Sequence, residues 1–134
     1  LGKLVQLGFG TNNYDGNTTL CMASAVSGYK RSFGSDGPPG AYDDLEQADV
    51  VLLVGANIAD NHPILCYRLE HNKNKKLIVV DPRRTETAAL ADIHLQVRPG
   101  ADAWLVSALV AVLVQEDLLD RDFLGKYATP SGVA

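Results

Sequence analysis

The sequence predicts an α/β fold in which helices lie on both faces of a parallel sheet. Two short segments, Val50–Val54 and residues 77–80, are unbroken apolar runs, which is typical of strands covered on both faces in a parallel sheet. Residues 93–97 alternate apolar and polar side chains, which favours a third strand nearer the edge. Helical patterns lie between these segments, and alternating strands and helices predict a layered domain with right-handed crossovers.

Local signals predict the helices. Pro63 is a residue favoured in the first turn of a helix, and it opens a predicted helix over residues 63–69. A short helix is predicted over residues 85–91 and a longer one over residues 102–115. Because the longer one is apolar nearly all round, we expect it to pack against the sheet. Residues 19–31 form a further helix candidate, preceded by Asn17 and closed near Gly34.

The length of 134 residues predicts a single domain over 1–134, with loop-rich segments at 1–18 and 35–42. In open α/β sheets, ligands bind in the loops at the ends of the strands, so we expect a Rossmann-like dinucleotide-binding domain. The chain starts at Leu1 rather than Met, and residues 129–134 are small or turn-forming. Both features fit a segment of a longer protein, and they also fit a trimmed whole protein.

The composition is that of a globular protein, with 46% hydrophobic and 21% charged residues. A net charge of −4 argues against a nucleic-acid partner, because phosphate neutralisation needs clustered Lys and Arg. The longest apolar stretch, residues 104–114, is shorter than the roughly 20 residues of a membrane span, so no membrane insertion is expected. The two cysteines have no zinc-ligand spacing, and a disulfide between them stays open.

Cys21 is the first candidate for chemistry. It follows the helix-capping residue types of residues 17–19, so its thiol is expected in the first turn of a helix. Unpaired N–H groups and the helix dipole would there favour the thiolate, the form that binds soft metals. The alternative is a small buried hydrophobe. Cys66 lies in the apolar run 64–67, where the buried alternative is preferred.

Three turns, at Gly55, Asp81 and Gly100, follow the predicted strands and could contact phosphates or a base. Gly55 would let the backbone approach a phosphate, and Asn57 offers both a donor and an acceptor. Asp81 could accept from the Watson–Crick edge of a guanine, and the arginines after it suit a pyrophosphate. The alternatives are an ordinary β–α turn at Gly55 and helix capping at His62, at Asp81 before Pro82, and at Asp102. An extended dinucleotide could use all three turns together.

These motifs, in this order, resemble one family. Residues 10–26 (GTNNYDGNTTLCMASAV) are similar to the molybdenum-site segment of bacterial nitrate reductases, which are molybdopterin guanine dinucleotide oxidoreductases. Residues 33–40 (FGSDGPPG), 55–57 (GAN) with His62 and Pro63, 81–87 (DPRRTET) and 98–102 (RPGAD) continue the resemblance. It covers roughly residues 8–125.

The resemblance implies a bis(molybdopterin guanine dinucleotide) molybdenum centre and the two-electron reduction of nitrate to nitrite. It makes Cys21 the metal ligand and Cys21 and Met22 the catalytic candidates. In the related formate dehydrogenases a His typically follows the metal-binding residue, so Met22 in that position favours nitrate reductase. It also implies a set of cofactor-binding residues, namely Asn17, Val54, Gly55, Ala56, Asn57, Ile58, Ala59, Asp60, Asn61, His62, Asp81, Pro82, Arg83, Arg84, Thr85, Gly100, Ala101 and Asp102.

The resemblance further implies partners outside this chain. The family has an N-terminal iron–sulfur motif and large further domains, so we expect a cluster on a preceding region and the remaining domains of a parent chain. The other expected partners are nitrate and an electron-donor protein, and this segment alone is expected to be inactive. Residues 36–39 and 81–84 are more similar to the cytoplasmic assimilatory branch than to the periplasmic one.

Three alternatives stay open. Formate dehydrogenase of the same family is the first. An NAD-type dinucleotide-binding domain is the second, although its glycine fingerprint is only approached at Gly8 and Gly10, with Asn13 in the third position. A non-enzymatic α/β interaction module with a buried Cys21 is the third, and exposure of that thiol distinguishes it from a cofactor site.

Overall fold

A computed structural model of the chain describes residues 1–129. Its helices and strands fall into two compact units, residues 1–41 and the part of the chain from residue 42 onwards. The first unit holds a π-helical turn, Leu4–Gly8, and two helices, α1 (Thr18–Cys21) and α2 (Ala23–Phe33). The second holds the strands β1 (Val50–Val54), β2 (Lys76–Val80) and β3 (Ile93–Leu95), with the helices α3 (Asp44–Gln47), α4 (Ile58–Asn61), α5 (Pro63–His71), α6 (Glu86–Ala89), α7 (Asp102–Gln115) and α8 (Arg121–Tyr127).

The three strands form a parallel sheet in the order β1-β2-β3. Val54 at the end of β1 is paired with Val80 at the end of β2, and Val80 with Leu95 at the end of β3. The parallel sheet and the edge position of the alternating strand are therefore confirmed. Because the strands end level with one another, the loops that follow them leave from the same edge of the sheet.

The core lies on one face of this sheet. Val51, Leu77 and Val79 project from it and pack with apolar side chains of the helices that follow β1 and β2, which are Ile58 of α4, Cys66 and Leu69 of α5, and Ala88 of α6. Alternate residues of a strand point to opposite faces, so β1 and β2 contribute odd-numbered residues to this cluster. Burial of Cys66 is confirmed, and both cysteines are free thiols.

The other face of β1 is open, contrary to the expectation that this strand is covered on both faces. Val50, Leu52 and Val54 are 59%, 47% and 46% exposed. The expectation that α7 packs against the sheet is also wrong within residues 1–129. None of its residues is buried, and Trp104 is 79% exposed. An apolar pattern predicts that a segment packs against other parts of the protein, but it does not identify the segment that packs against it.

The segment 19–31 was predicted as one helix and is two. α1 ends at Cys21, and Met22 (φ −127°, ψ 22°) interrupts the helical backbone before α2 begins. Gly34 then adopts the left-handed conformation (φ 75°) that ends α2, as expected for a glycine in that position. Four further differences concern short helices: Leu4–Gly8 lies in a segment predicted as loop, and α3, α4 and α8 are not predicted.

Asp92, just before β3, connects the start of this strand to the start of β2. Its Oδ2 accepts a hydrogen bond from the Leu77 backbone N–H at 2.7 Å, and Oδ1 lies 3.4 Å from Lys76 Nζ. These contacts, the Leu77 N–H first, lower the pKa of the Asp92 carboxyl below its ordinary value of 3.8. A carboxyl with a lowered pKa stabilises the fold above its ordinary pKa, and that stability is lost as the pH falls through the folded value.

We therefore expect Asp92→Asn to lower the thermal unfolding midpoint at neutral pH. The difference from wild type should shrink as the pH falls below 3.8, because the wild-type carboxyl then becomes protonated. Thermal melts of both proteins in a pH series check this. A difference that is the same at acid and neutral pH would show that the Asp92 charge makes no contribution.

Candidate functional site

The Cys21 turn is the candidate metal-binding segment of the first unit. Cys21 is the last residue of α1, and its side chain is exposed. Asn17, which precedes α1, donates from Nδ2 to Cys21 Sγ at 3.5 Å, and the Cys21 N–H donates to the Asn17 carbonyl at 2.9 Å. The Cys21 thiol is exposed, as are most side chains of residues 1–41.

The surroundings of the sulfur differ from the expected helix start. Because the Cys21 N–H is bonded to the Asn17 carbonyl, it is not one of the unpaired amides of a first turn. The polar group next to the sulfur is the side-chain amide of Asn17. A hydrogen bond of this kind can orient a metal-binding thiolate and adjust its electron donation.

Met22 lies at the break between α1 and α2. It lines a shallow pocket with Thr18, Thr19, Ala23, Val26, Ser27 and Asp36. Within residues 1–129, no three His, Cys, Asp or Glu side chains are grouped so that they could hold a metal ion.

The loop after β1 is the first of the three turns in the second unit. Gly55 has φ 63°, a left-handed conformation that favours glycine, and beyond its two chain neighbours no residue has an atom within 4 Å of the position that a Cβ would take. Its N–H donates to the Val80 carbonyl at 2.8 Å, so the turn begins in register with β2. The backbone is therefore open towards a ligand at this position.

Asn57 is the hydrogen-bonding centre of the same loop. Its Nδ2 donates to Asp60 Oδ2 at 2.7 Å and to Glu86 Oε2 at 3.2 Å, and its Oδ1 accepts from Thr87 Oγ1 at 2.7 Å. The Asn57 amide N–H groups and carbonyl oxygen, predicted to contact a ligand, are thus hydrogen-bonded to protein groups. Of the other residues of this loop, Ile58 belongs to the core, and Asn61 and His62 line a shallow pocket beside Pro63.

The loop after β2 is a tight turn centred on Asp81. Asp81 is 8% exposed, and its Oδ1 accepts from the Arg83 N–H at 2.7 Å. Arg83 and Arg84 are exposed, as a pyrophosphate contact requires. No helix starts at Pro82, so the alternative that Asp81 caps a helix is excluded. Thr85 takes that position for α6, accepting from the Ala88 N–H at 3.1 Å.

Two side chains, one in β3 and one directly after it, form hydrogen-bond contacts with the backbone of the Asp81 turn. His94 Nε2 lies 2.9 Å from the Asp81 carbonyl oxygen, and Gln96 Nε2 donates to the Pro82 carbonyl at 2.8 Å. These residues were not among the predicted site residues. The signal that could have found them is the alternation of residues 93–97, which places positions 94 and 96 on the same side of the strand.

The third turn precedes α7. Gly100 has φ 83°, and the Ala101 N–H donates to the Arg98 carbonyl at 3.0 Å. Ala101 is the N-cap of α7 and Asp102 is its first residue, so Asp102 does not cap the helix as the alternative supposed. The exposed Asp102 carboxylate thus lies at the start of this helix.

The structure joins the first two turns by side chains that the site prediction had left out. Glu86 and Thr87 of α6 both contact Asn57 across 29 and 30 residues of sequence. The backbone N–H of Glu86 and then the Asn57 amide lower the pKa of the Glu86 carboxyl. Both residues are part of the segment 81–87 on which the resemblance rests, and that position is the signal that could have found them.

The NAD-type alternative lacks its structural context. A dinucleotide fingerprint needs a strand before its first glycine, whereas Gly8 ends the π-helical turn Leu4–Gly8.

No helix among residues 1–129 combines the length and the apolar character that crossing a membrane would require.

A sequence model described as molybdopterin oxidoreductase matches residues 1–124. An assimilatory nitrate reductase of Haloferax mediterranei is 50% identical over 92% of this chain, and a periplasmic nitrate reductase of Desulfovibrio desulfuricans is 44% identical over 93%. An F420-dependent formate dehydrogenase subunit alpha of Methanocaldococcus jannaschii is 37% identical over 92%. The chain spans 18%, 17% and 19% of the length of these three relatives.

Proposed function

The chain belongs to the molybdopterin oxidoreductase family, and we propose that it is the cofactor-binding segment of a nitrate reductase. The observation that carries the choice of substrate is its higher identity to nitrate reductases than to the formate dehydrogenase. Met22 directly after Cys21 agrees with this choice. Formate dehydrogenase is the alternative, because the relatives include one.

The donor set of the Cys21 turn fits a molybdenum cofactor. A thiolate is a soft ligand, and the exposed Cys21 sulfur with the Asn17 amide beside it can reach a metal that the cofactor brings. When bound, the bis(molybdopterin guanine dinucleotide) centre supplies the two-electron chemistry that turns nitrate into nitrite. Cys21 holds the metal, Asn17 orients the sulfur, and Met22 lies next to them at the break between two helices.

The turns at the carboxyl edge of the sheet fit a guanine dinucleotide. The open backbone at Gly55 has room for a phosphate, and the exposed guanidinium groups of Arg83 and Arg84 can bind a pyrophosphate. The Asp81 carboxylate can accept from the N–H groups of a guanine. In this proposal the unit from residue 42 onwards is a Rossmann-like dinucleotide-binding layer, and further segments of the parent chain cover the open face of β1.

The remaining partners belong to the proposal as well. They are the other domains of the parent chain, an iron–sulfur cluster on a preceding region, and a protein that donates electrons. We propose the cytoplasm as the compartment, with the periplasm as the alternative that the periplasmic relative supports. The segment alone is expected to be inactive, because the proposed cofactor needs contacts beyond these loops.

The substrate can be tested on the purified full-length protein with an artificial electron donor. We expect it to contain molybdenum and guanine and to form nitrite from nitrate. Assays of formate oxidation on the same preparation provide the comparison. A protein that contains molybdenum and guanine but oxidises formate and leaves nitrate unchanged would contradict the substrate assignment.

A further inference from the structure

Thr87 is a buried hydroxyl residue of α6, which follows the loop after β2, and it contacts the loop after β1. Its side chain is 0% exposed. Its Oγ1 donates to Asn57 Oδ1 at 2.7 Å and accepts from the Ala59 N–H at 3.0 Å, while its backbone N–H lies 3.4 Å from the same Asn57 oxygen. One side chain of α6 thus contacts the loop after β1 at two points.

Asn57 completes this connection from the other side. Its Nδ2 donates to Asp60 within its own loop and to Glu86 on α6. An amide has two N–H donors and one oxygen, and all three groups of Asn57 have protein partners. Its side chain is therefore suited to fixing the loop, and contact with a ligand at this position falls to the backbone.

We propose that Thr87 is a positioning residue that acts through Asn57 and locks the loop after β1 to the loop after β2. This role rests on the proposed function, because it assumes that both loops hold one guanine dinucleotide. The loops leave from adjacent strands at the paired residues Val54 and Val80. A fixed connection between them keeps the Gly55 backbone and the Asp81 turn at a constant separation, which reduces the loss of freedom on binding.

The test measures how fast the full-length protein loses its cofactor. Wild type, Thr87→Val and Thr87→Ser are dialysed under the same conditions, and retained molybdenum and acid-released guanine nucleotide are followed over time. Valine keeps the shape of threonine without the hydroxyl, so we expect loss about tenfold faster. Serine keeps the hydroxyl, so Thr87→Ser should retain the cofactor nearly as wild type does.

A second variant and a stability control separate positioning from folding. Asn57→Asp keeps the oxygen that faces Thr87 but puts a negative charge against Asp60 and Glu86, so it should also speed the loss. If the two residues act as one unit, the double variant is no worse than the more damaged single variant. Val79→Ala, a cavity in the same core, is the control that lowers stability without touching this connection.

The outcomes are distinct. If Thr87→Val and Asn57→Asp retain the cofactor like wild type, or if Val79→Ala at equal thermal stability loses it as fast as they do, the role of Thr87 is overturned and the proposed function stands. If Thr87→Val does not fold, Asn57→Asp decides on the same criteria. A wild-type protein without guanine contradicts the proposed function and this role together.

Discussion

Cys21→Ala in the full-length protein should lower nitrate reduction by more than about 100-fold. Mutating a residue that only hydrogen-bonds to a metal ligand commonly lowers activity 10- to 100-fold. Loss of the ligand itself should therefore lower activity further. Alanine also removes the sulfur that the Asn17 amide contacts. Nitrite formation with an artificial electron donor, expressed per bound molybdenum, measures the effect.

The second cysteine provides the matched control. Cys66 lies in the core between α5 and the sheet, and burial raises the pKa of its thiol. Cys66→Ala should lower thermal stability and leave the activity per bound molybdenum close to that of wild type. Full activity in Cys21→Ala, or equal losses in both variants, would contradict the assignment of Cys21.

Asp81→Asn should weaken binding of the guanine part of the cofactor by about ten- to a hundredfold. Hydrogen bonds to a charged group contribute about 1.5–3 kcal/mol, which corresponds to that range. The variant can keep an oxygen for the Arg83 N–H, but it replaces one accepting carboxylate oxygen with an amide that donates. The Asp81→Asn variant should therefore bind guanine more weakly while the turn itself stays folded.

The measurement is the guanine nucleotide released by acid from the purified full-length variant. Asp122→Asn in α8 removes the same charge from an exposed position and should retain wild-type guanine content. Equal guanine content in Asp81→Asn and wild type after extended dialysis would exclude Asp81 as a guanine contact.

The sheet could be predicted because its strands carry strong local signals. Val50–Val54 and α7 have the bounds that the apolar runs gave, and Pro63 starts α5 as expected. These features depend on short stretches of sequence. The break at Met22 has no such local signal, because none of the residues around it is a helix breaker such as Pro. The sequence therefore predicts a continuous helix there.

The candidate site was less predictable because its contacts join distant residues. Asn57 can be identified from the sequence as a polar residue in a turn, but its partners Glu86 and Thr87 lie 29 and 30 residues away. His94 in β3 and Gln96 directly after it likewise contact the backbone of the Asp81 turn. Local propensity carries no information on such pairs, and they become evident only when the strand register is known.

X-ray absorption spectroscopy at the molybdenum edge shows whether Cys21 coordinates molybdenum. Full-length wild type and Cys21→Ala would be compared in the same oxidation state, with Cys66→Ala as the control. We predict that Cys21→Ala lacks one sulfur neighbour of molybdenum that wild type and Cys66→Ala both have. An unchanged sulfur shell in Cys21→Ala would exclude Cys21 as a ligand, because the metal would then be held without this thiolate.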